Sequence, residues 1–273
     1  MMKKHRICIP IITALFAAMT GTCMAADSFA TEPAGKPDAC ENITVQTLKS
    51  QVPLPPATIL SRRDLNGVCE VILDIRGQMV PVYAGKNFVI AGEMYQARKQ
   101  VTQNQLNRLK AKRFGSLKAE VEKCVAMTLK PKDKAVRRTV YMITDPVCPY
   151  CHRAEGRLEE FAQQYGAEFK MVFNSVHPPV GRQKAIEAVC RKLSATEYLK
   201  GTWKNENKTQ QYQCAKGTEL IKRSESLARK LGVRGVPVFF LENGESVVGA
   251  NMPALARALS KEPGKSVKVS YAK

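Results

Sequence analysis

Thr139-Val-Tyr-Met-Ile-Thr144-Asp145-Pro146-Val147-Cys148-Pro149-Tyr150-Cys151-His152 decides how this chain folds. Thr139 to Thr144 reads as a buried strand, and Cys148 to Tyr165 reads as the helix that follows it. Two cysteines separated by two residues therefore open a helix directly after a strand. At that place Cys148 meets unsatisfied backbone N–H groups and the positive end of the helix dipole, which favour thiolate over thiol. Cys148 is thus a candidate nucleophile near neutral pH. Cys151, one turn further in, is placed to attack a mixed disulfide formed at Cys148.

Other readings of the same four residues are zinc, a structural disulfide and haem. Zinc needs four ligands, and no second closely spaced Cys or His pair follows. With His152 the motif also fits C-x-x-C-H, the attachment site of c-type haem. Against haem stand the preceding strand and a second feature downstream, Gly232-Val-Arg-Gly-Val236-Pro237-Val-Phe-Phe-Leu241. A proline there can only head a strand or lie on an edge, and the flanking glycines invite a sharp entry.

Further outward, Glu168 to Phe173 reads as a second strand, Glu219 to Leu231 as a helix stopped by Gly232, and Val238 to Leu241 as a strand. Asn243-Gly244 then makes a hairpin to Ser246–Val248, and a last helix opens at Pro253. Upstream, Thr102 and Gln105 form a capping box for a helix from about Gln103 to Met127. Leu106, Leu109, Leu117, Val121 and Cys124 line its apolar stripe, with Phe114 and Val125 at the margin. Before it, Val68–Ile75, Met79–Tyr83 and Phe88–Ala91 read as a small meander. Alternation places Val71, Leu73 and Ile75 on one face, with Ile72, Val80 and Val82 available to the other.

The first 26 residues read as an export signal. Lys3, Lys4 and Arg6 precede an apolar run from Ile7 to Met19 and small residues ending in Ala25 and Ala26. That run is too short to span a bilayer, which takes about 20 residues. Removing it takes the 273-residue chain from a net charge of +19 to +16 and leaves seven cysteines, in a compartment where disulfides persist. Asp27 to Pro37 reads as a flexible lead-in.

With 44% hydrophobic and 25% charged residues, fibrous and largely disordered classes are excluded. The scattered aromatics give no stacking strip for nucleic acid, and no stable membrane insertion is expected. The stretch from Arg98 to Arg138 holds thirteen Lys and Arg against three acidic residues. It reads as a solvated helix face, or as a surface for acidic substrates or the anionic envelope whose binding weakens with salt.

With the dithiol and the Pro237 strand in view, the chain resembles the periplasmic disulfide isomerases of the DsbC/DsbG family over about residues 43–260. The match runs through Gly92-Glu-Met-Tyr95 in a small β domain, a connecting helix, and Thr144-Asp145 ahead of the dithiol. The resemblance implies an α/β (α+β) chain: an N-terminal β-rich dimerisation domain over 27–102, a linker helix and connector over 103–137, and a thioredoxin-like domain with a helical insertion over 138–273. It also implies that Pro237 is cis and packs beside Cys148, that Val236 backbone pairs with a substrate strand next to Pro149 and Tyr150, and that Cys190 and Cys214 form a structural disulfide.

Asp145 and His152 are supporting candidates. Cys40 and Cys69 are a possible bridge, Cys124 a buried structural thiol, and His177 a loop residue. No metal or cofactor is implied. Two departures bear on redox potential: Pro149-Tyr150 looks like the DsbG dipeptide, and Val236 stands where the family has Thr, as in DsbA-type oxidases.

The expected function is an exported, periplasmic thiol-disulfide isomerase or reductase that leaves by the Sec pathway. It would work as a homodimer on misoxidised exported proteins and be kept reduced by an inner-membrane thiol reductant of DsbD type. The meander cannot bury two faces alone, which favours pairing with a second copy. The alternatives are a DsbA-like dithiol oxidase and a non-catalytic basic periplasmic chaperone.

Overall fold

The computed structural model describes residues 38–206 and 208–261. The export signal, its cleavage position and the lead-in lie outside the described residues.

The first elements are α1 (Val45–Lys49), β1 (Thr58–Asp64), β2 (Cys69–Ile75), β3 (Gln78–Ala84) and β4 (Val89–Ala91). The four strands form one antiparallel sheet in the order β1-β2-β3-β4. Register overturns the expected division of faces. Val71 lies opposite Val82 and Leu73 opposite Val80, so these four share the face that packs on Leu48 and Cys40, while Ile72 pairs with Pro81 on the other. A disulfide joins Cys40 to Cys69 in that core. On the opposite face Arg63, Glu70 and Tyr83 are cross-strand neighbours, with Arg63 Nη2 2.7 Å from Glu70 Oε2 and the Tyr83 hydroxyl donating to Glu70 at 3.3 Å.

Two short strands, β5 (Tyr95–Gln96) and β6 (Lys99–Gln100), lead into α2 (Val101–Glu122). The helix starts one residue before Thr102, so the capping box does not form. The Thr102 hydroxyl accepts from Met94 N–H at 2.6 Å and hydrogen-bonds Tyr83 OH, which fastens the start of the helix to the sheet. Tertiary partners outbid the local cap.

The remaining strands and α-helices are β7 (Met127–Leu129), β8 (Arg138–Thr144), α3 (Pro149–Glu155), α4 (Leu158–Tyr165), β9 (Ala167–Phe173), α5 (Val180–Cys190), α6 (Ala195–Lys200), α7 (Ala215–Leu231), β10 (Val238–Leu241), β11 (Ser246–Val248) and α8 (Met252–Ser260). The helix expected over Cys148 to Tyr165 is two, interrupted at Gly156-Arg157. Five strands make a second sheet in the order β11-β10-β8-β9-β7, in which only β8 and β9 are parallel.

Side chains of β8 alternate between two cores. Val140 and Met142 pack with Leu158, Phe161, Ile186 and Leu255, whereas Tyr141 and Ile143 pack with Phe114, Val121 and Cys124 of the α2 segment and Leu227 of α7. Phe114, expected only at the margin of the stripe, is fully buried and stacks on Phe240 with ring centroids 4.9 Å apart. The connecting helix is therefore part of the wall of the second sheet. Of its acidic residues, Glu120 is bonded by Lys230 and Glu122 by Lys170, both from outside the helix.

The turn between β2 and β3 reaches across to α7. Gln78 Nε2 donates to Gly232 O at 2.9 Å, Arg113 Nη1 donates to Gly77 O at 2.7 Å, and Arg113 Nη2 bonds Asp74 at 2.5 Å. Gly77 has φ +84°, and a Cβ there would stand 2.5 Å from Arg229 O. Only glycine meets both demands. Gly77→Ala should cost about 2–4 kcal/mol, combining left-handed strain with a backbone clash. Urea unfolding checks this, and a loss below about 0.5 kcal/mol, the level of an undisturbed surface site, would mean the turn is not docked.

Candidate active site

Cys148 is the N-cap of α3, with extended backbone, and Pro149 follows in the first turn, where a missing N–H leaves no bond unmade. The turn is set by Asp145, whose carbonyl accepts from Cys148 N–H at 3.1 Å. The Val236-Pro237 bond is cis, and Cys148 Sγ lies 3.8 Å from Val236 O. Two segments 88 residues apart thus meet at the sulfur that the sequence marks as nucleophile. Cys148 is only 4% exposed, while Tyr150 beside it is 59% exposed with the Arg153 guanidinium 5.4 Å above its ring.

Cys151 is fully buried, and its sulfur accepts from Asp145 N–H at 3.4 Å. Burial pushes its thiol well above the usual range, opposed by the neighbouring Thr144 hydroxyl and the Asp145 N–H. Thr144 Oγ1 donates to Glu155 at 2.8 Å, and Tyr198 OH donates to the same carboxylate at 2.9 Å. Lys204 Nζ stands 3.5 Å from Glu155, and burial holds its ammonium below the usual range despite that carboxylate. The Thr144 hydroxyl therefore stands between the buried thiol and the buried acid.

His152 does not approach either sulfur through a hydrogen bond. Its Nε2 is 2.5 Å from Pro146 O, so the ring closes the turn from behind. Asp145 is fully buried and His177, read as loop, bonds to it. Glu155, Tyr198, Lys204 and His177 were not legible as site residues. Glu155 lies four residues after Cys151, one helical turn on, which is the one local hint the sequence held.

Cys190 and Cys214 are joined by a disulfide that closes the helical stretch between β9 and α7. Cys124 is a buried free thiol, its pKa raised by burial. Among the described residues no three His, Cys, Asp or Glu side chains gather as a metal site, and no helix is long and apolar enough to cross a membrane.

Residues 126–261 match the family model described as a thioredoxin-like domain. Several solved structures are similar to parts of this chain. The thiol-disulfide exchange protein alpha-DsbA2 from Wolbachia pipientis is 12% identical, with a TM-score of 0.46 over 57% of this chain and 96% of its own. A periplasmic thioredoxin-like protein from Salmonella enterica serovar Typhimurium is 19% identical, at 0.43 over 53% and 93%. Helicobacter pylori DsbG is 16% identical, at 0.39 over 72% and 98%. No curated protein matches the chain significantly. The mixed α/β fold thus contains a thioredoxin-like domain with a helical insertion, and its dithiol sits where β8 hands over to α3.

Proposed function

We propose that this chain is an exported thiol-disulfide oxidoreductase that acts chiefly as an isomerase and reductase of misoxidised proteins. The observation that carries the proposal is Cys148 Sγ at the start of α3, facing the Val236 carbonyl across a cis peptide. In the reaction the Cys148 thiolate attacks one sulfur of a substrate disulfide, forms a mixed disulfide and releases the other sulfur as a thiolate. If a second substrate thiolate attacks the mixed disulfide, Cys148 leaves unchanged and the substrate is isomerised. If Cys151 attacks instead, the substrate leaves reduced and Cys148–Cys151 becomes the disulfide. A dithiol reductant, of the inner-membrane DsbD class, must then return two electrons to the pair.

Equilibration of the Cys148/Cys151 pair with glutathione tests the direction of the chemistry. A pair that rests mainly reduced in a periplasm-like buffer supports isomerase and reductase, whereas a strongly oxidising pair would make the protein an oxidase of DsbA kind.

The homodimer belongs to the same proposal. Among the described residues β4 is an edge strand of its sheet, and Phe88 and Ile90 there are both exposed. Light scattering on the exported form should give twice the monomer mass at micromolar concentration. A monomer mass there would remove the second copy from the account.

A further inference from the structure

We propose that His177 is a positioning residue for the dithiol, acting through the buried carboxylate of Asp145. This rests on reading Cys148 as the attacking thiol.

Asp145 touches the dithiol turn with its backbone and with its side chain. Its carbonyl holds Cys148 N–H, its N–H points at Cys151 Sγ, and its Oδ1 accepts from Val147 N–H at 3.0 Å. The other oxygen, Oδ2, faces a different loop. It accepts from Val176 N–H at 2.8 Å, His177 N–H at 3.2 Å and His177 Nδ1 at 3.1 Å. One fully buried carboxylate thus ties the β8–α3 turn to the β9–α5 loop.

A buried carboxylate with unmet acceptors would draw in water or turn toward other donors, and either would disturb the turn it holds. Gly181 closes one side: a Cβ there would stand 2.6 Å from Asp145 Oδ1. Among the described residues His177, 49% exposed as a side chain, is the titratable side chain hydrogen-bonded to the carboxylate. Because the acceptor is a carboxylate oxygen, Nδ1 is the nitrogen that carries the hydrogen of this bond. The imidazole therefore acts as a hydrogen-bonding stopper over the carboxylate that shapes the Cys148 turn.

The test uses the full exported chain. His177→Phe keeps a ring of similar size but no donor, while His177→Asn restores an N–H near the Nδ1 position. The alkylation rate of Cys148 by iodoacetamide at neutral pH reads the thiol itself, and kcat and KM for a scrambled protein substrate read turnover. His177→Phe should slow both alkylation and kcat about fivefold with little change in KM, a fraction of the roughly 10²-fold that a 1 Å misplacement can cost. His177→Asn should recover most of that loss.

Rates in His177→Phe equal to the parent protein, or an equal loss in both variants, would overturn the proposal. If His177→Phe fails to fold, His177→Gln, whose amide lies nearer the Nε2 position, replaces it with the same expectations. An alkylation defect in a protein that turns over no disulfide even with His177 intact would support the positioning role and sink the functional reading instead.

Discussion

Cys148→Ser should abolish the refolding of a scrambled disulfide protein, lowering the rate by about 10³-fold or more, the scale seen when a nucleophile is removed from a covalent mechanism. Serine keeps the size of the N-cap residue, so α3 and the turn to Pro237 should survive and the loss should be chemical. Cys124 gives the internal control. It is free but buried between the α2 segment and the second sheet, with its pKa raised by burial, and Cys124→Ala should leave turnover intact. Residual activity in Cys148→Ser near that of the parent protein would return the basic chaperone reading to the front.

The largest stability effect is expected from Phe114→Ala. Phe114 is fully buried, stacks on Phe240 and tilts against Tyr141 at a centroid distance of 5.4 Å. Truncation leaves a cavity between α2 and the second sheet and should cost about 3–5 kcal/mol in urea unfolding. If α2 were a free spacer between two units, the same change would fall within about 0.5 kcal/mol, like other exposed positions. The outcome separates a helix that belongs to the catalytic wall from one that merely joins two bodies. It also bears on any fragment that starts beyond α2, which would expose Tyr141, Ile143 and Phe240.

Where the sequence was legible, the features were local. The strand before Cys148, the two-residue spacing of the dithiol, Gly232 ending α7 and Asn243-Gly244 between β10 and β11 all follow from propensity, capping and turn chemistry. What escaped depends on partners distant in the chain. Strand β7 has three residues and exists because β9 offers an edge, and β1 carries Ser61, Arg62 and Arg63 where an apolar run would have marked it. Thr102 reads as a cap until Tyr83 and Met94 take its hydroxyl. The stripe on α2 shows that one face is buried but not against what. Only the register of β2 and β3 shows that Val82 sides with Val71. At the site, the cysteines stand out because their spacing is chemical. Glu155 and His177 do not, because each acquires its place through a residue on another element, Tyr198 for the first and Asp145 for the second.

The central claim, that Cys148 attacks substrate disulfides and Cys151 resolves them, is tested most directly by mass spectrometry of Cys151→Ser after exposure to a scrambled disulfide protein. The expected result is a covalent adduct with the substrate, linked through Cys148 and released by a dithiol reductant. No adduct, or an adduct carried by Cys124 in place of Cys148, would contradict it.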